Sequence, residues 1–437
     1  MAPPIQCILS LLSFLLLSTM TIPAVGRQEI LGASKLVQRP TASNPWVSEL
    51  TRIETNGNKA GAVAVSENST LVATVVEREI RVYGVGSSRL LRTLRGHAGF
   101  IKALEFQPGG SKLVSSSALY GCSMEQAVRV WDLDAGAPPN ISDDAAKAAV
   151  TGASPILLQH WSAEDIESAN LREDIAKVIL KAQITVDVRN GRAFFGELPS
   201  FEARAFSRNG SSLLYLPHRQ TVAVADVDTL TERFRLTDNG HTDGVMWAET
   251  SPNGTVVATS SWDQTVRIWS MESGKLVHIL RGARGQSWAG AFSPNGELVA
   301  AGAGDGMVRI WRIDTGELLH TLGNFRGWVR SLSFSPDSRH LAAGAAGGTL
   351  KVFNVESGEQ ELNWQTFAGE LLNVQYTFGG DLFFSSTDGS IFGYRASQDS
   401  KWEFFEPGSF VGGVKISADG SKLIATVGSS VRIWKIE

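Results

Sequence analysis

Residues 241–282 read HTDGVMWAETSPNGTVVATSSWDQTVRIWSMESGKLVHILRG, and most of the chain repeats this pattern. The segment contains four short apolar runs, which are Val245–Ala248, Thr255–Thr259, Thr265–Trp269 and Lys275–Leu280. Turn-forming residues separate the runs. Gly and Asn accept positive φ in tight turns, and Pro fixes one turn angle. The segment therefore predicts four short strands in an antiparallel meander.

Copies of this segment recur along the chain. The turn SPNG at Ser251–Gly254 occurs again at Ser293–Gly296 and, as SPDS, at Ser335–Ser338. The third-strand sequence VRIW or VRVW occurs at Val128–Trp131, Val266–Trp269, Val308–Trp311 and Val431–Trp434. The spacing from Trp269 to Trp311 is 42 residues, and the spacing from Trp311 to Phe353 is the same. A fixed period of this length indicates sheets that cover one another in a repeat architecture.

The period, with a His near the start and a Trp near the end of the unit, resembles the WD40-repeat family. The resemblance extends over most of residues 47–437 and implies an all-β propeller of four-stranded blades. Eight repeat starts predict eight blades, beginning near Ala62, Ile101, Ala203, Val245, Ser287, Val329, Leu371 and Gly413. Seven blades is the alternative if the weak third repeat is not a true blade.

The two ends of the repeat region complement each other. The last repeat, from Gly413 to Glu437, ends after its third strand, whereas Val47–Ile53 is a strand-like segment without a repeat of its own. WD40 propellers commonly close their ring with such a strand, which removes two open sheet edges. We therefore expect Val47–Ile53 to complete the last blade.

The resemblance also implies a buried hydrogen-bond network within a blade, formed by His, Ser or Thr, Asp and Trp. Blade 4 has the whole set, as His241, Ser261, Asp263 and Trp269. Blade 2 has a variant set, as His97, Ser123, Glu125 and Trp131. In the repeats after blade 4, Ala283 and Phe325 stand at the His position, so the network is absent there.

An inserted segment, residues 133–190, interrupts the period after the third strand of blade 2. Within it, Leu171, Ile175, Val178, Ile179 and Ala182 lie on one face of a helix, which predicts a helix over residues 163–182. Gly191–Phe195 then stands where the fourth strand of blade 2 is expected. Ile156–His160 is the alternative fourth strand, which places the helix on the opposite face.

Residues 1–26 carry no charge and include the apolar run Ile8–Met20. Small residues at Ala24 and Gly26 precede Arg27 and fit a signal-peptidase site. We therefore expect a signal peptide over residues 1–26, a linker over residues 27–46 and a secreted, periplasmic or lumenal protein without a stable membrane span. An uncleaved membrane anchor and a non-targeting, cytoplasmic start are the alternatives.

Composition and motifs argue against several function classes. The net charge is -4, which gives no basic footprint for nucleic acid. The seven His form no HxH or HExxH pattern, and GxSxG and P-loop motifs are absent from the sequence. We expect no metal, no cofactor and no catalysis. The alternative is a propeller enzyme of the quinoprotein-like type, which the turn at Thr315 and Gly316 resembles, although the adjacent Cys pair of many such enzymes is missing.

The resemblance also indicates where partners bind. In WD40 propellers, the loops before the first strand and between the second and third strands share one face around the channel entrance. The residues at these positions are Trp262, Trp288, Trp328, Arg330, Phe100, Lys102 and Met246. Trp and Arg dominate binding hot spots. We expect a non-catalytic scaffold that binds protein or peptide partners there, centred on Trp262, Trp328 and Arg330; alternatively, the rings only pack against neighbouring loops.

Overall fold

A computed structural model describes residues 46–55, 60–97, 100–118, 127–134, 193–199, 204–366, 368–406 and 409–437. These residues form eight antiparallel sheets, one for each predicted repeat, so the eight-blade prediction is confirmed and the seven-blade alternative is wrong. Seven sheets have four strands. Blade 3 has three, and a single bridge between Phe206 and Leu213 stands where its first strand is expected.

The strand bounds follow the repeat. Blade 1 comprises Ala60–Val65, Leu71–Val76, Glu79–Gly84 and Leu90–Arg95. Blade 2 comprises Phe100–Phe106, Lys112–Ala118, Ala127–Asp132 and Ala193–Phe195, and blade 3 comprises Ser212–His218, Thr221–Asp226 and Glu232–Arg235. Blade 4 comprises Val245–Thr250, Val256–Ser261, Val266–Ser270 and Leu276–Leu280.

The second half of the ring is more regular. Blade 5 comprises Ser287–Phe292, Leu298–Ala303, Met307–Arg312 and Leu318–Gly323, and blade 6 comprises Val329–Phe334, His340–Ala345, Thr349–Asn354 and Gln360–Gln365. Blade 7 comprises Leu371–Tyr376, Leu382–Ser386, Ser390–Arg395 and Ser400–Phe405, with a short 3-10 helix at Ala396–Gln398. Blade 8 comprises Val411–Ile416, Lys422–Val427, Ser430–Ile436 and the N-terminal strand Val47–Glu54.

The repeated SPNG sequence forms the same turn each time it occurs. In blade 4, Gly254 adopts a φ of 71°, and the backbone N–H of Thr255 donates to the side-chain oxygen of Asn253 at 3.1 Å. In blade 5, Gly296 adopts a φ of 75°. Gly tolerates this left-handed region without a steric cost, which explains its place in the repeat.

The core lies between neighbouring blades. Trp247 of blade 4 and Phe292 of blade 5 place their ring centroids 5.9 Å apart, and Ile268 and Val299 pack in the same cluster. First strands of adjacent blades contact one another, for example in blades 5 and 6, which places them around the central channel. Each blade therefore buries its faces only because the next blade is present.

The N-terminal strand closes the ring. Val47 pairs with Ile436 and Ile53 pairs with Val431, in an antiparallel ladder along the outer edge of blade 8. This confirms the predicted closure. The N-terminal strand thereby pairs with the strand edge that the last repeat alone leaves open.

The inserted segment leaves the ring between the third and fourth strands of blade 2. Ala127 pairs with Phe195, so the predicted fourth strand near residues 191–195 is confirmed. The predicted helix over residues 163–182 and the predicted signal peptide and linker, up to residue 45, lie outside the described residues. Within the described ranges, no helix has the length and apolar character that a membrane crossing requires.

Candidate functional site

Three tryptophans of blades 4 to 6 lie in one continuous row, here called the tryptophan ladder: Trp262, Trp288 and Trp328. The centroids of Trp262 and Trp288 are 5.3 Å apart with a tilt of 55°, and those of Trp288 and Trp328 are 5.2 Å apart and stacked at 17°. All three are half-buried. The ladder therefore forms a rigid, partly exposed aromatic surface rather than three independent side chains.

Two arginines flank the ladder. The guanidinium of Arg330 lies 4.5 Å from the ring centroid of Trp288 and 5.8 Å from that of Trp328. It also pairs with Glu370 of the loop entering blade 7, at 3.2 Å. At the other end, Arg219 lies 5.0 Å from the ring centroid of Trp262. Cation–π contacts of this kind fix the orientation of the rings.

The repeat itself aligns these residues. Trp288 and Arg330 are 42 residues apart, and so are Trp328 and Glu370, so each pair occupies one position in successive blades. Met246 occupies the Trp288 position in blade 4 and is half-buried. Side chains at one repeat position line up around the ring, which is why neighbours in space come from distant parts of the chain.

Two donors within the ladder lack an acceptor. The indole nitrogens of Trp262 and Trp288 are buried and have no hydrogen-bond partner among the described residues. Indole N–H groups normally find a partner when buried. Both unsatisfied donors lie beneath the exposed surface of the ladder.

Two of the predicted partner-binding residues lie apart from the ladder. Phe100 begins the first strand of blade 2 and is 53 % exposed. Lys102 forms an ion pair with Glu197. Both belong to blade 2, which blade 3 separates from the ladder. The structure therefore brings together Trp262, Trp288, Trp328 and Arg330, but not the blade 2 residues.

The predicted network of blade 4 forms around a different hydroxyl. The indole N–H of Trp269 donates to the Thr259 oxygen at 2.9 Å, and the Thr259 hydroxyl lies 2.7 Å from Nε2 of His241. His241 Nδ1 lies 2.8 Å from the Asp263 carboxylate. Ser261 was expected at the centre, but its hydroxyl donates to the carbonyl of Asp243 at 2.9 Å. Residues two apart share a face of a strand, so Ser261 and Thr259 are both candidates, and Thr259 is the one whose hydroxyl contacts both rings.

Blade 2 has the same arrangement. Nε2 of His97 lies 2.7 Å from the hydroxyl of Ser115, which accepts the indole N–H of Trp131 at 2.8 Å. The expected Ser123 and Glu125 lie outside the described residues. In both blades the bridging hydroxyl follows the His by 18 residues. That spacing is the sequence signal that identifies Thr259 and Ser115.

Electrostatics fix the protonation state of the blade 4 network. Burial alone raises the pKa of Asp263, but hydrogen bonds from His241 and Thr265 outweigh burial and hold that pKa well below its ordinary value. Burial lowers the pKa of His241, although Asp263 acts in the opposite direction. A neutral His241 that donates to Asp263 and accepts from Thr259 satisfies all four groups.

Two carboxyl groups on first strands, Glu105 and Glu249, have pKa values that shift in the opposite direction. Burial raises the pKa of Glu105 to about 7, against a hydrogen bond from the backbone N–H of Ala205. Burial likewise raises the pKa of Glu249 to about 7, opposed by the charges of Arg204 and other cations. In the part of the chain that the structure describes, no group of three or more His, Cys, Asp or Glu could hold a metal ion.

Comparisons with known families match separate parts of the ring. The family described as "WD domain, G-beta repeat" matches residues 88–132 and 232–270. The family described as "Anaphase-promoting complex subunit 4 WD40 domain" matches residues 291–378. The matched ranges include strands of blades 1 to 7 and leave residues 133–231 and 271–290 between them unmatched.

Curated relatives are similar over about half of the chain. Autophagy-related protein 16 of Arabidopsis thaliana is 24% identical over 238 residues, which are 52% of this chain and 42% of that protein. Apoptotic protease-activating factor 1 of Danio rerio is 25% identical, over 49% of this chain and 16% of that protein. Transcriptional corepressor LEUNIG_HOMOLOG of Arabidopsis thaliana is 24% identical, over 49% of this chain and 19% of that protein. The chain spans less than half the length of each of these relatives.

Among solved structures, the computationally designed Ika8 protein superposes with a TM-score of 0.63. It is 19% identical, and the match covers 89% of this chain and 99% of that protein. At this identity the likeness concerns the fold alone.

Proposed function

Because this chain is a WD40-repeat β-propeller, we propose that it is a non-catalytic scaffold that binds a segment of a partner protein on the ladder face of blades 4 to 6. One observation carries the proposal: three tryptophans and Arg330 from three blades meet in a continuous, half-buried row. Trp262 and Trp328 lie in loops, where folding of a blade does not require a Trp, in contrast to Trp269 within its third strand.

Physical considerations favour this face for binding. Trp and Arg are enriched in hot spots because each side chain buries much area on contact. Stacking of Trp288 on Trp328 and the cation–π contact of Arg330 already order these side chains in the free protein. A partner therefore binds without the entropic cost of ordering them, which is about 0.5–1.5 kcal/mol for each side chain.

The test is the double substitution Trp262→Ala with Arg330→Ala. We expect the variant to keep its circular dichroism spectrum and to lose the partners that wild type captures, identified by crosslinking and mass spectrometry in the native compartment. Phe378→Ala is the matched control, because Phe378 is 76 % exposed in the turn between the first two strands of blade 7, on the opposite face. An unchanged partner set in the double variant contradicts the proposal.

A further inference from the structure

We infer, resting on the proposed function, that the partner segment is an acidic peptide whose Asp and Glu side chains contact arginines around the tryptophan ladder. The loops that lead into blades 5 and 6, residues 281–286 and 324–328, contain Arg281, Arg284 and Arg326 and no carboxylate. All three arginines are exposed. The first loop ends shortly before Trp288 and the second ends at Trp328, so they bring positive charge to the segments that carry the stack.

The carboxylates nearest in the repeat do not neutralise these arginines. Asp305 binds the guanidinium of Arg309 at 2.7 Å, in a contact that is nearly buried. Glu370 is engaged with Arg330. Within the described ranges, Arg281, Arg284 and Arg326 form no ion pair, so their charges remain available to a ligand.

Hydrogen-bond capacity points in the same direction. Arg281, Arg284 and Arg326 are exposed, and every guanidinium is a donor without acceptor capacity. Carboxylates accept such donors in short, charge-assisted hydrogen bonds. A surface with this excess of donors complements an acceptor-rich, negatively charged segment.

The geometry favours a peptide over single-stranded nucleic acid. Bases bind by stacking on open aromatic faces. In the ladder, Trp288 and Trp328 cover each other, and Arg330 and Arg219 lie over rings of the row. The ring faces are thus largely occupied, and the edges and guanidinium groups remain for contact.

The experiment selects short random peptides, displayed on phage, against the full-length chain. The most enriched peptide and its version with Asn and Gln in place of Asp and Glu are then titrated by fluorescence anisotropy. We expect enriched peptides to carry more Asp and Glu than the library. We expect Arg284→Glu with Arg326→Glu, and separately the neutral peptide, to weaken binding about tenfold, because opposite charges at an interface contribute to both attraction and specificity.

The matched control is Lys275→Glu with Arg339→Glu, which changes the net charge equally through exposed residues in turns of the opposite face. It should leave the Kd unchanged. Enriched peptides without an acidic bias, equal binding of the neutral peptide, or competition by oligothymidylate that surpasses the acidic peptide overturns the inference. The double variant Trp262→Ala with Trp328→Ala separates the two proposals. If neutral peptides bind wild type and lose binding in this variant, the acidic character of the ligand is wrong but the binding face stands. If the selected peptides bind this variant as well as wild type, the binding face itself is wrong.

Discussion

Blades 4 and 6 have matching strands and registers, but different interactions join the entering loop to the third strand. These interactions are polar in blade 4 and aromatic in blade 6. The equivalent residues, 84 positions apart, are His241 and Phe325, Thr259 and Ala343, Asp263 and Gly347, Arg267 and Lys351, and Trp269 and Phe353. Blade 4 joins its residues by hydrogen bonds. Blade 6 replaces them with an edge-to-face ring pair, whose centroids are 6.4 Å apart.

The comparison shows that the blade geometry does not depend on the polar network. In blade 6, Lys351 donates to the carbonyl of Gly323 at 2.6 Å and lies 4.9 Å from the Phe325 ring centroid, so its charge is satisfied without an Asp. The two blades are therefore expected to respond differently to the loss of one side chain. Loss of one partner in blade 4 leaves others buried and unpaired, whereas blade 6 loses only contact area.

The largest effect is expected for Asp263→Ala. Its carboxylate contacts His241, Thr265 and Arg267, whose side chain is only 8% exposed. Removal of one member of a buried charge pair costs about 3–5 kcal/mol, because the other charge stays buried without compensation. Urea denaturation measures the loss.

Asp314→Ala is the control for this variant. Asp314 lies in an exposed turn, where its carboxylate accepts the backbone N–H of Thr315, and such surface changes stay within about 0.5 kcal/mol. Equal denaturation midpoints for the two variants refute the comparison. Gly347 at the equivalent position of blade 6 shows that the cost in blade 4 arises from the orphaned partners.

An intermediate effect is expected for Thr259→Val, which removes the hydroxyl between the two rings while keeping the shape. Trp269 loses an acceptor and His241 loses a donor, at a cost of about 1–3 kcal/mol. Thr74 is the matched control, because it pairs with Arg81 in blade 1 as Thr259 pairs with Arg267.

The Thr74 hydroxyl is buried and has no hydrogen-bond partner among the described residues. Thr74→Val should therefore be neutral or stabilising, since it removes an unsatisfied polar group. Calorimetry on both variants decides: a loss of stability at Thr74 as large as that at Thr259 means that the hydroxyl's packing, rather than its bonds, is what matters.

The smallest effect is a change in pH dependence in His241→Phe, which gives blade 4 the ring of blade 6. Burial lowers the pKa of His241 below its ordinary 6.5, so the unfolded chain takes up this proton first as the pH falls. The stability that His241 contributes is present above pH 6.5 and is lost as the pH falls through the folded pKa. The difference in stability between wild type and the His241→Phe variant should therefore become smaller as the pH falls below 6.5.

Phe325→Leu controls for this measurement, because it changes no titratable group and its difference from wild type should stay constant with pH. Glu105 and Glu249 have pKa values raised from 4.5 to about 7, so the folded protein loses stability as the pH rises through this range. They are common to all three proteins and cancel in the differences. A deficit of His241→Phe that does not depend on pH contradicts the neutral state of His241.

The sequence repeat predicts those features of the fold that recur once in each blade. It does not predict which of two similar side chains on one strand makes a given contact. The eight blades and the ladder position of Trp288 and Arg330 follow from the repeat, and the closing strand at Val47 follows from the fourth strand that the last repeat lacks. The choice of Thr259 over Ser261 does not, because both are small hydroxyl residues on one strand and only the packed rings distinguish them. Arg219 was missed because the third repeat lacks the motifs that anchor an alignment, with Ala225 at its Trp position.

The closing strand has a consequence for the order of events during synthesis. Glu49 and Arg432, which lie across the closing pair of strands, are 383 residues apart in the chain. At about 5–20 residues per second, the first strand leaves the ribosome about 20–80 s before its partner exists. Blades can form in sequence behind it, but the strand Val47–Glu54 waits with an unpaired edge. Closure of the ring at Val47–Glu54 is therefore expected to be a late step in the folding of this chain.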